Sequence, residues 1–198
     1  GGRSGEPLQI PSDVAPQSTP VTPQKAPARP GSMARLLEQG TVLVLARQPQ
    51  GLSMGSGFFI SRRHVLSNAH VVGNAGQAFL INKATGGVLQ ATVRHRSADG
   101  GRDFALLELP ADAAITPLEF APGVERTQRV SAWGFPGAVT NDDPKFMALL
   151  QGNDSAVPEV VYTEGVVSVI LERTPPLVVH TATVSQGNSG GPLVNEQG

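Results

Sequence analysis

The hexapeptide Gly187-Asn-Ser-Gly-Gly-Pro192 places a single hydroxyl, that of Ser189, among glycines. Glycine lets the backbone turn sharply, so the amides of Gly187 and Ser189 can point at one place. Two converging N–H groups beside a serine oxygen form an oxyanion hole, which stabilises the tetrahedral intermediate of acyl transfer. The segment predicts a nucleophilic Ser189 with Gly187 and Ser189 as oxyanion donors. An ordinary flexible loop is the alternative on this segment alone.

A serine hydroxyl is a weak nucleophile at neutral pH, so this chemistry needs an imidazole within hydrogen-bonding reach. Four histidines are available. His70 lies in an apolar stretch, Val65 to Val72, in which small neighbours leave room around the ring. His64, His95 and His180 stay open as alternatives, because a single histidine is more often structural than catalytic.

A carboxylate must also orient the imidazole, and Asp103 is the candidate. It precedes the apolar run Phe104 to Leu107, which would draw it into the structure. A half-buried aspartate needs a donor, and a histidine N–H is a suitable one. A turn-capping aspartate, or one paired with Arg102, is the alternative. Strand spacing alone does not rank Asp103 above Glu108.

Three segments in this order resemble the trypsin-like serine proteases. They are Gly55 to Ile60 with Val65 to His70, then Asp103 to Leu107, then Gly187 to Leu193. Gly134 to Gly137 and Thr163 to Ser168 further resemble the bacterial HtrA (DegP-like) branch. The resemblance covers about Thr41 to Asn195, and three ordered motifs are much more specific than any one of them.

The resemblance implies a serine endopeptidase without a cofactor, in which His70 is base and acid, Asp103 its orienting partner and Ser189 the nucleophile. Thr183 and Val184 fall where the family lines its substrate pocket. With no acid there, we expect cleavage after small or medium apolar residues. A pseudoprotease or peptide-binding module that keeps the triad is the alternative. An esterase of the α/β-hydrolase kind is disfavoured, because that fold has the order Ser, Asp, His.

Short apolar runs separated by Gly, Pro, Asn or Asp predict the elements that position these residues. The predicted strands are Thr41 to Ala46, Gly57 to Ile60, Ala78 to Ile81, Leu89 to Arg94, Phe104 to Leu109, Arg129 to Trp133, Val160 to Leu171 and Leu177 to His180. The fold class is therefore all-β. A short helix is expected over Met33 to Gln39, and a long loop over Asn141 to Pro158 that contains a helical piece at Lys145 to Leu150.

The resemblance implies two six-stranded antiparallel barrels of the chymotrypsin type, at about residues 41–115 and 125–198, within a protease domain at 33–198. The family fold continues for several strands past the point where this sequence stops, nine residues after Ser189. We therefore expect the second barrel to be incomplete in this chain, with its strand edges open.

Composition narrows the partners and the chemistry. The net charge of −1 offers no basic field for nucleic acid, and the absence of cysteine excludes thiolate metal sites and a cysteine nucleophile. The expected partners are protein or peptide substrates. Residues 1–32 predict an unpacked proline-rich linker. It resembles a tether from an upstream membrane anchor or leader, which suggests a periplasmic or secreted location.

Overall fold

A computed structural model describes residues 31–135, 148, 151, 157–185 and 187–198. Its helices are α1 (Met33–Gly40) and α2 (Ala69–Val72). Its strands are β1 (Thr41–Gln48), β2 (Gly51–Phe59), β3 (His64–Ser67), β4 (Gln77–Asn82), β5 (Gly87–Ser97), β6 (Phe104–Glu108), β7 (Arg129–Gly134), β8 (Val161–Leu171), β9 (Leu177–His180) and β10 (Leu193–Val194). No helix in these described ranges is long and apolar enough to cross a membrane.

The first six strands form a closed antiparallel barrel in the order β1-β2-β3-β6-β5-β4. Strand β1 is apolar on both faces, because each face packs into a different core. Val42 and Val44 point into the barrel. Leu43 and Leu45 pack in a second cluster with Phe135, the residue that follows β7. This double burial explains an apolar run that does not alternate with polar residues.

The remaining strands form a four-stranded antiparallel sheet in the order β10-β7-β8-β9, which is not closed among the described residues. Helix α1 is capped at its N-terminus by Ser32, whose hydroxyl accepts a hydrogen bond from the Arg35 main-chain N–H at 3.3 Å. Its apolar face places Leu36 and Leu37 against Trp133, in a cluster that also contains Val194. The helix therefore ties the first described residues to the second sheet.

The predicted all-β class is confirmed, with one closed six-stranded barrel and an incomplete second one. The predicted helix and all eight predicted strands are present, with ends that differ by a few residues except at β2, which starts six residues before the predicted Gly57. Three short elements, β3, α2 and β10, were not predicted. The loop Asn141 to Pro158 and the linker 1–32 lie largely outside the described residues. The predicted domain limits stay predictions.

Candidate active site

His70 lies on α2, a single turn that follows β3. Val71 and Val72 are buried in the barrel core, so they fix one side of the turn and leave the His70 side chain 57% exposed on the other. The Gln48 side chain donates to the Val72 carbonyl at 2.7 Å, and the Ser53 hydroxyl donates to the Val71 carbonyl. The short helix is therefore held by partners on β1 and β2 rather than by its own length.

Asp103 lies immediately before β6 and holds His70 through both carboxylate oxygens. Oδ1 accepts the His70 main-chain N–H at 3.0 Å, and Oδ2 lies 2.5 Å from ring Nδ1. The Asn68 side chain donates to the Asp103 carbonyl at 2.6 Å, which joins the start of α2 to the same point. Because an ionised carboxylate only accepts hydrogen bonds, the ring proton lies on Nδ1 and Nε2 is left free.

The electrostatics of this pair favour the ionised carboxylate. Partial burial acts to raise the pKa of Asp103, but hydrogen bonds from the His70 ring and main chain outweigh it, so the pKa lies below its usual 3.8. The Asp103 side chain is 43% exposed, so it is about half-buried, as its apolar neighbours predicted. Its lowered pKa therefore depends on the hydrogen bonds from His70 more than on a dry environment.

Ser189 lies in the loop between β9 and β10. We call residues 187–191 of this loop the nucleophile loop, after the predicted role of Ser189. Gly187 and Gly190 have φ values of 96° and 87°, in the region that favours glycine. A Cβ on Gly190 would lie 2.1 Å from the Ser56 carbonyl oxygen, so no side chain fits there. Neither the Gly187 nor the Ser189 amide donates a hydrogen bond to another described residue. Within the described ranges, both N–H groups are thus available to a ligand.

The nucleophile loop packs beside the segment that carries His70. A Cβ on Gly190 would lie 3.0 Å from the main-chain nitrogen of Asn68. A Cβ on Gly55 would lie 2.5 Å from a Val71 methyl and 3.0 Å from the Ser189 carbonyl oxygen. The nucleophile loop therefore lies next to the segment that carries His70, and Asp103 contacts His70 directly. In the described part of the chain, no hydrogen bond joins the Ser189 hydroxyl to His70.

A family model described as the trypsin-like peptidase domain matches residues 55–198. The chain belongs to this family. It is 30% identical over 149 residues to Protease Do-like 4, mitochondrial, of Arabidopsis thaliana, which covers 74% of this chain and 26% of that protein. It is 32% identical over 148 residues to a probable periplasmic serine endoprotease DegP-like of Halomonas elongata, with 74% and 28% covered. The chain spans about a quarter of the length of these relatives.

A solved structure gives the same fold. The active form of the Rv3671c protease from M. tuberculosis is 24% identical, with a TM-score of 0.60 over 91% of this chain and 77% of that one. The predicted resemblance to trypsin-like proteases, with the HtrA (DegP-like) proteins as relatives, is confirmed.

The peptidase domain contains a second serine, imidazole and carboxylate set, formed by Ser61 on the turn before β3, His64 at the start of β3 and Glu108 at the end of β6. His64 Nδ1 lies 2.8 Å from the Ser61 hydroxyl, and its Nε2 lies 3.0 Å from Glu108. The Ser61 oxygen also accepts the main-chain N–H groups of Arg63 and His64, at 3.2 and 2.9 Å. Its lone pairs are therefore engaged in closing the turn. This set has no counterpart of the glycine-rich nucleophile loop.

The two other histidines lie apart from the Asp103 contact. His95 is on β5 with its ring 5.7 Å from that of Phe104, and His180 ends β9 with a buried Nδ1 that has no hydrogen-bond partner among the described residues. No group of three histidine, cysteine or acidic side chains in the described ranges could hold a metal ion.

The two residues expected to line the substrate pocket precede the nucleophile loop. The Thr183 carbonyl accepts the Thr163 hydroxyl at 2.5 Å, which ties this segment to β8. The Val184 side chain is on the surface, where the residue is 55% exposed. Both positions are open to solvent, so they offer an apolar surface rather than an enclosed cavity.

Two residues in contact with the site were not predicted to have a role. Asn68 bonds the main chain at Asp103, and Ser56 bonds the nucleophile loop. The sequence carries one signal for Ser56, which is its position as a polar residue between two glycines. Nothing in the sequence identifies its partners, because they lie far away along the chain.

Proposed function

We propose that this peptidase domain is the catalytic unit of a serine endopeptidase that forms an acyl-enzyme intermediate. Ser189 is the nucleophile, His70 the base and acid, and Asp103 the residue that orients His70. The double contact of Asp103 with His70 carries the proposal. It holds the ring proton on Nδ1 and leaves Nε2 ready to accept a proton on an exposed face.

In the first half-reaction, Nε2 of His70 takes the Ser189 proton as Oγ attacks the peptide carbonyl carbon. The amides of Gly187 and Ser189 stabilise the resulting oxyanion, with each donor worth about 3 to 4 kcal/mol. His70 then protonates the leaving amine as the C–N bond breaks. Water, deprotonated by His70, releases the acyl group by the reverse path. This step requires the Ser189 hydroxyl to reach hydrogen-bonding distance of Nε2, and such contacts often tighten only when substrate binds.

The proposed specificity is for small or medium apolar residues on the acyl side of the cleaved bond. Thr183 and Val184 support it, because they offer methyl groups and no charge for a basic side chain. Peptides that differ only at this residue test the proposal. We expect kcat/KM for alanine or valine to exceed that for arginine by at least about tenfold. A preference for arginine would contradict it.

We also propose a location outside the cytoplasm. One relative is named as a probable periplasmic protease, and the proline-rich start of the chain has the composition of an extended tether. Fractionation of cells that express the full-length protein, with a cytoplasmic and a periplasmic marker, tests this. Recovery with the cytoplasmic marker would contradict it.

A second candidate function is peptide binding without turnover. The observation that favours it is that no hydrogen bond joins Ser189 to His70 in the described part of the chain. This candidate requires that the Ser189 hydroxyl stays unactivated. Peptide binding would then survive Ser189→Ala, and the unsubstituted protein would hydrolyse nothing.

A fluorophosphonate probe separates the two functions, because it bonds covalently to an activated serine. We expect one label per chain, lost in Ser189→Ala and kept in Ser61→Ala. Ser61 is a matched control, since its hydroxyl also contacts a histidine that contacts a carboxylate. Equal labelling of the protein with and without Ser189→Ala would reject the endopeptidase, as would loss of the label in Ser61→Ala alone.

A further inference from the structure

Ser56 is a fully buried serine on β2, with 0% of its surface exposed. Ser56 pairs with Leu43, whose side chain packs in the second cluster, so the hydroxyl lies between the barrel and the second sheet. A hydroxyl buried there is costly unless its hydrogen-bonding capacity is used. Here that capacity is used on groups outside the barrel. Ser56 therefore connects the closed barrel to the second half of the domain.

Both the main chain and the side chain of Ser56 make these connections. Its hydroxyl donates to the Gly187 carbonyl at 2.7 Å and accepts the Phe135 amide at 2.9 Å. Its own amide donates to the Ser189 carbonyl at 2.8 Å. Its carbonyl accepts the Ser67 hydroxyl at 2.7 Å. One residue thus contacts two carbonyls of the nucleophile loop and the end of β7.

The carbonyl that the Ser56 hydroxyl holds belongs to the peptide group between Gly187 and Asn188. The other end of that group, the Asn188 N–H, donates to the Ser185 carbonyl at 3.1 Å. The group is therefore fixed at both ends. It lies between the amides of Gly187 and Ser189, which are the proposed oxyanion donors. A rotation of this group would change the direction of one donor relative to the other.

We propose that Ser56 is a positioning residue for the oxyanion hole, acting through the Gly187 carbonyl. The inference rests on the proposed endopeptidase function. Ser56 does not touch substrate, so its removal leaves Ser189, His70 and Asp103 in place. Without the hydroxyl, the Gly187 carbonyl loses its partner, and the two oxyanion donors no longer converge in every molecule.

The test compares Ser56→Ala with Ser131→Ala, a control that removes another buried serine hydroxyl, one bonded to the Trp133 ring within β7. Turnover is counted per site labelled by the fluorophosphonate, so that unfolded molecules do not contribute. We expect kcat to fall about 10- to 100-fold in Ser56→Ala with KM within about threefold, since one full donor is worth about 100- to 1,000-fold. Ser131→Ala should keep kcat within about threefold by the same comparison.

Inhibition by a peptidyl boronate gives a readout that a merely structural role would not change. Its tetrahedral adduct with serine places an oxygen at the oxyanion position, so its inhibition constant should rise by about the same factor as kcat falls. A kcat per labelled site within about twofold of the unsubstituted enzyme would overturn the proposal. So would a loss carried wholly by KM.

Amide hydrogen exchange, measured by NMR, tests the positioning role of Ser56 without any measurement of catalysis. We expect the Asn188 amide to exchange at least about tenfold faster in Ser56→Ala, while the central β1 amides are unchanged. Unchanged Asn188 exchange would overturn the positioning role. An unsubstituted protein that takes no label and cleaves no peptide would instead refute the endopeptidase, and the exchange result would still stand.

Discussion

Replacement of Asp103 by asparagine tests the His70 contact with almost no change in shape. The carboxylate accepts two hydrogen bonds from His70, at 3.0 Å from the main chain and 2.5 Å from ring Nδ1. An amide has one oxygen to offer. If that oxygen keeps the main-chain N–H, the amide nitrogen donates to Nδ1. The ring proton then moves to Nε2, the atom that must receive the Ser189 proton.

The magnitude follows from this change of tautomer. If the amide turns over instead, its NH₂ group faces the His70 main-chain N–H, and α2 loses one of its anchors. The first arrangement keeps both hydrogen bonds but holds the wrong tautomer, and the second leaves the His70 main-chain N–H without an acceptor, so no rotamer of asparagine restores the pair. An imidazole held in the wrong tautomer costs about 10⁴-fold in kcat, which is about 5.5 kcal/mol of transition-state stabilisation.

The assay is kcat and KM on a peptide substrate, at equal concentrations of folded protein. Glu108→Gln is the matched control, because it makes the same chemical change in a carboxylate that lies 3.0 Å from the His64 ring on the same barrel. We expect KM to change little in either variant. Asp103→Asn with more than about a tenth of normal kcat would refute the reasoning, as would an equal loss in Glu108→Gln.

Three further outcomes follow. Gly190→Ala should lower the free energy of unfolding by at least about 2 kcal/mol more than Gly86→Ala in urea denaturation, because both glycines have positive φ but only Gly190 has a backbone oxygen 2.1 Å from the added Cβ. The stability that the lowered pKa of Asp103 contributes is full above its ordinary value of 3.8 and is lost as the pH falls through the folded pKa. The stability difference between the unsubstituted protein and Asp103→Asn, measured by urea denaturation, should therefore be steady from about pH 7 to about pH 5 and shrink below about pH 4. Leu107→Ala, in the barrel core, should cost about 2 to 5 kcal/mol, and a loss under about 1 kcal/mol would show that the core closes around the gap.

The β architecture could be predicted because its strands are long enough to show an apolar pattern. Strand β8 (Val161–Leu171), with eleven residues, agrees with the prediction to within one residue at each end. The elements that were not predicted are short, such as α2 with four residues and β10 with two. A single helical turn has too few hydrogen bonds to be stable by itself, so its sequence carries little helical preference. Its structure comes from tertiary partners such as Gln48.

The site could be predicted as residue types in order, but not as a set of contacts. Asp103 was expected to be half-buried, and its side chain is 43% exposed at a position one residue before β6 begins, but its double contact with His70 could not be predicted. The partners of Ser56 could not be found from local pattern at all, since a buried serine hydroxyl bonds whatever the fold brings near. The catalytic roles of His70 and Ser189 stay predictions.

The hydrogen bond from Ser56 to Gly187 joins residues 131 positions apart in the chain. During synthesis, the strands of the closed barrel, which end at Glu108, leave the ribosome before any residue of the nucleophile loop. At about 5 to 20 residues per second, several seconds separate the emergence of Asp103 from that of Ser189. A nascent chain therefore displays the proposed base before the proposed nucleophile, and the proposed peptide cleavage cannot begin on the ribosome until almost all of the described sequence has been made.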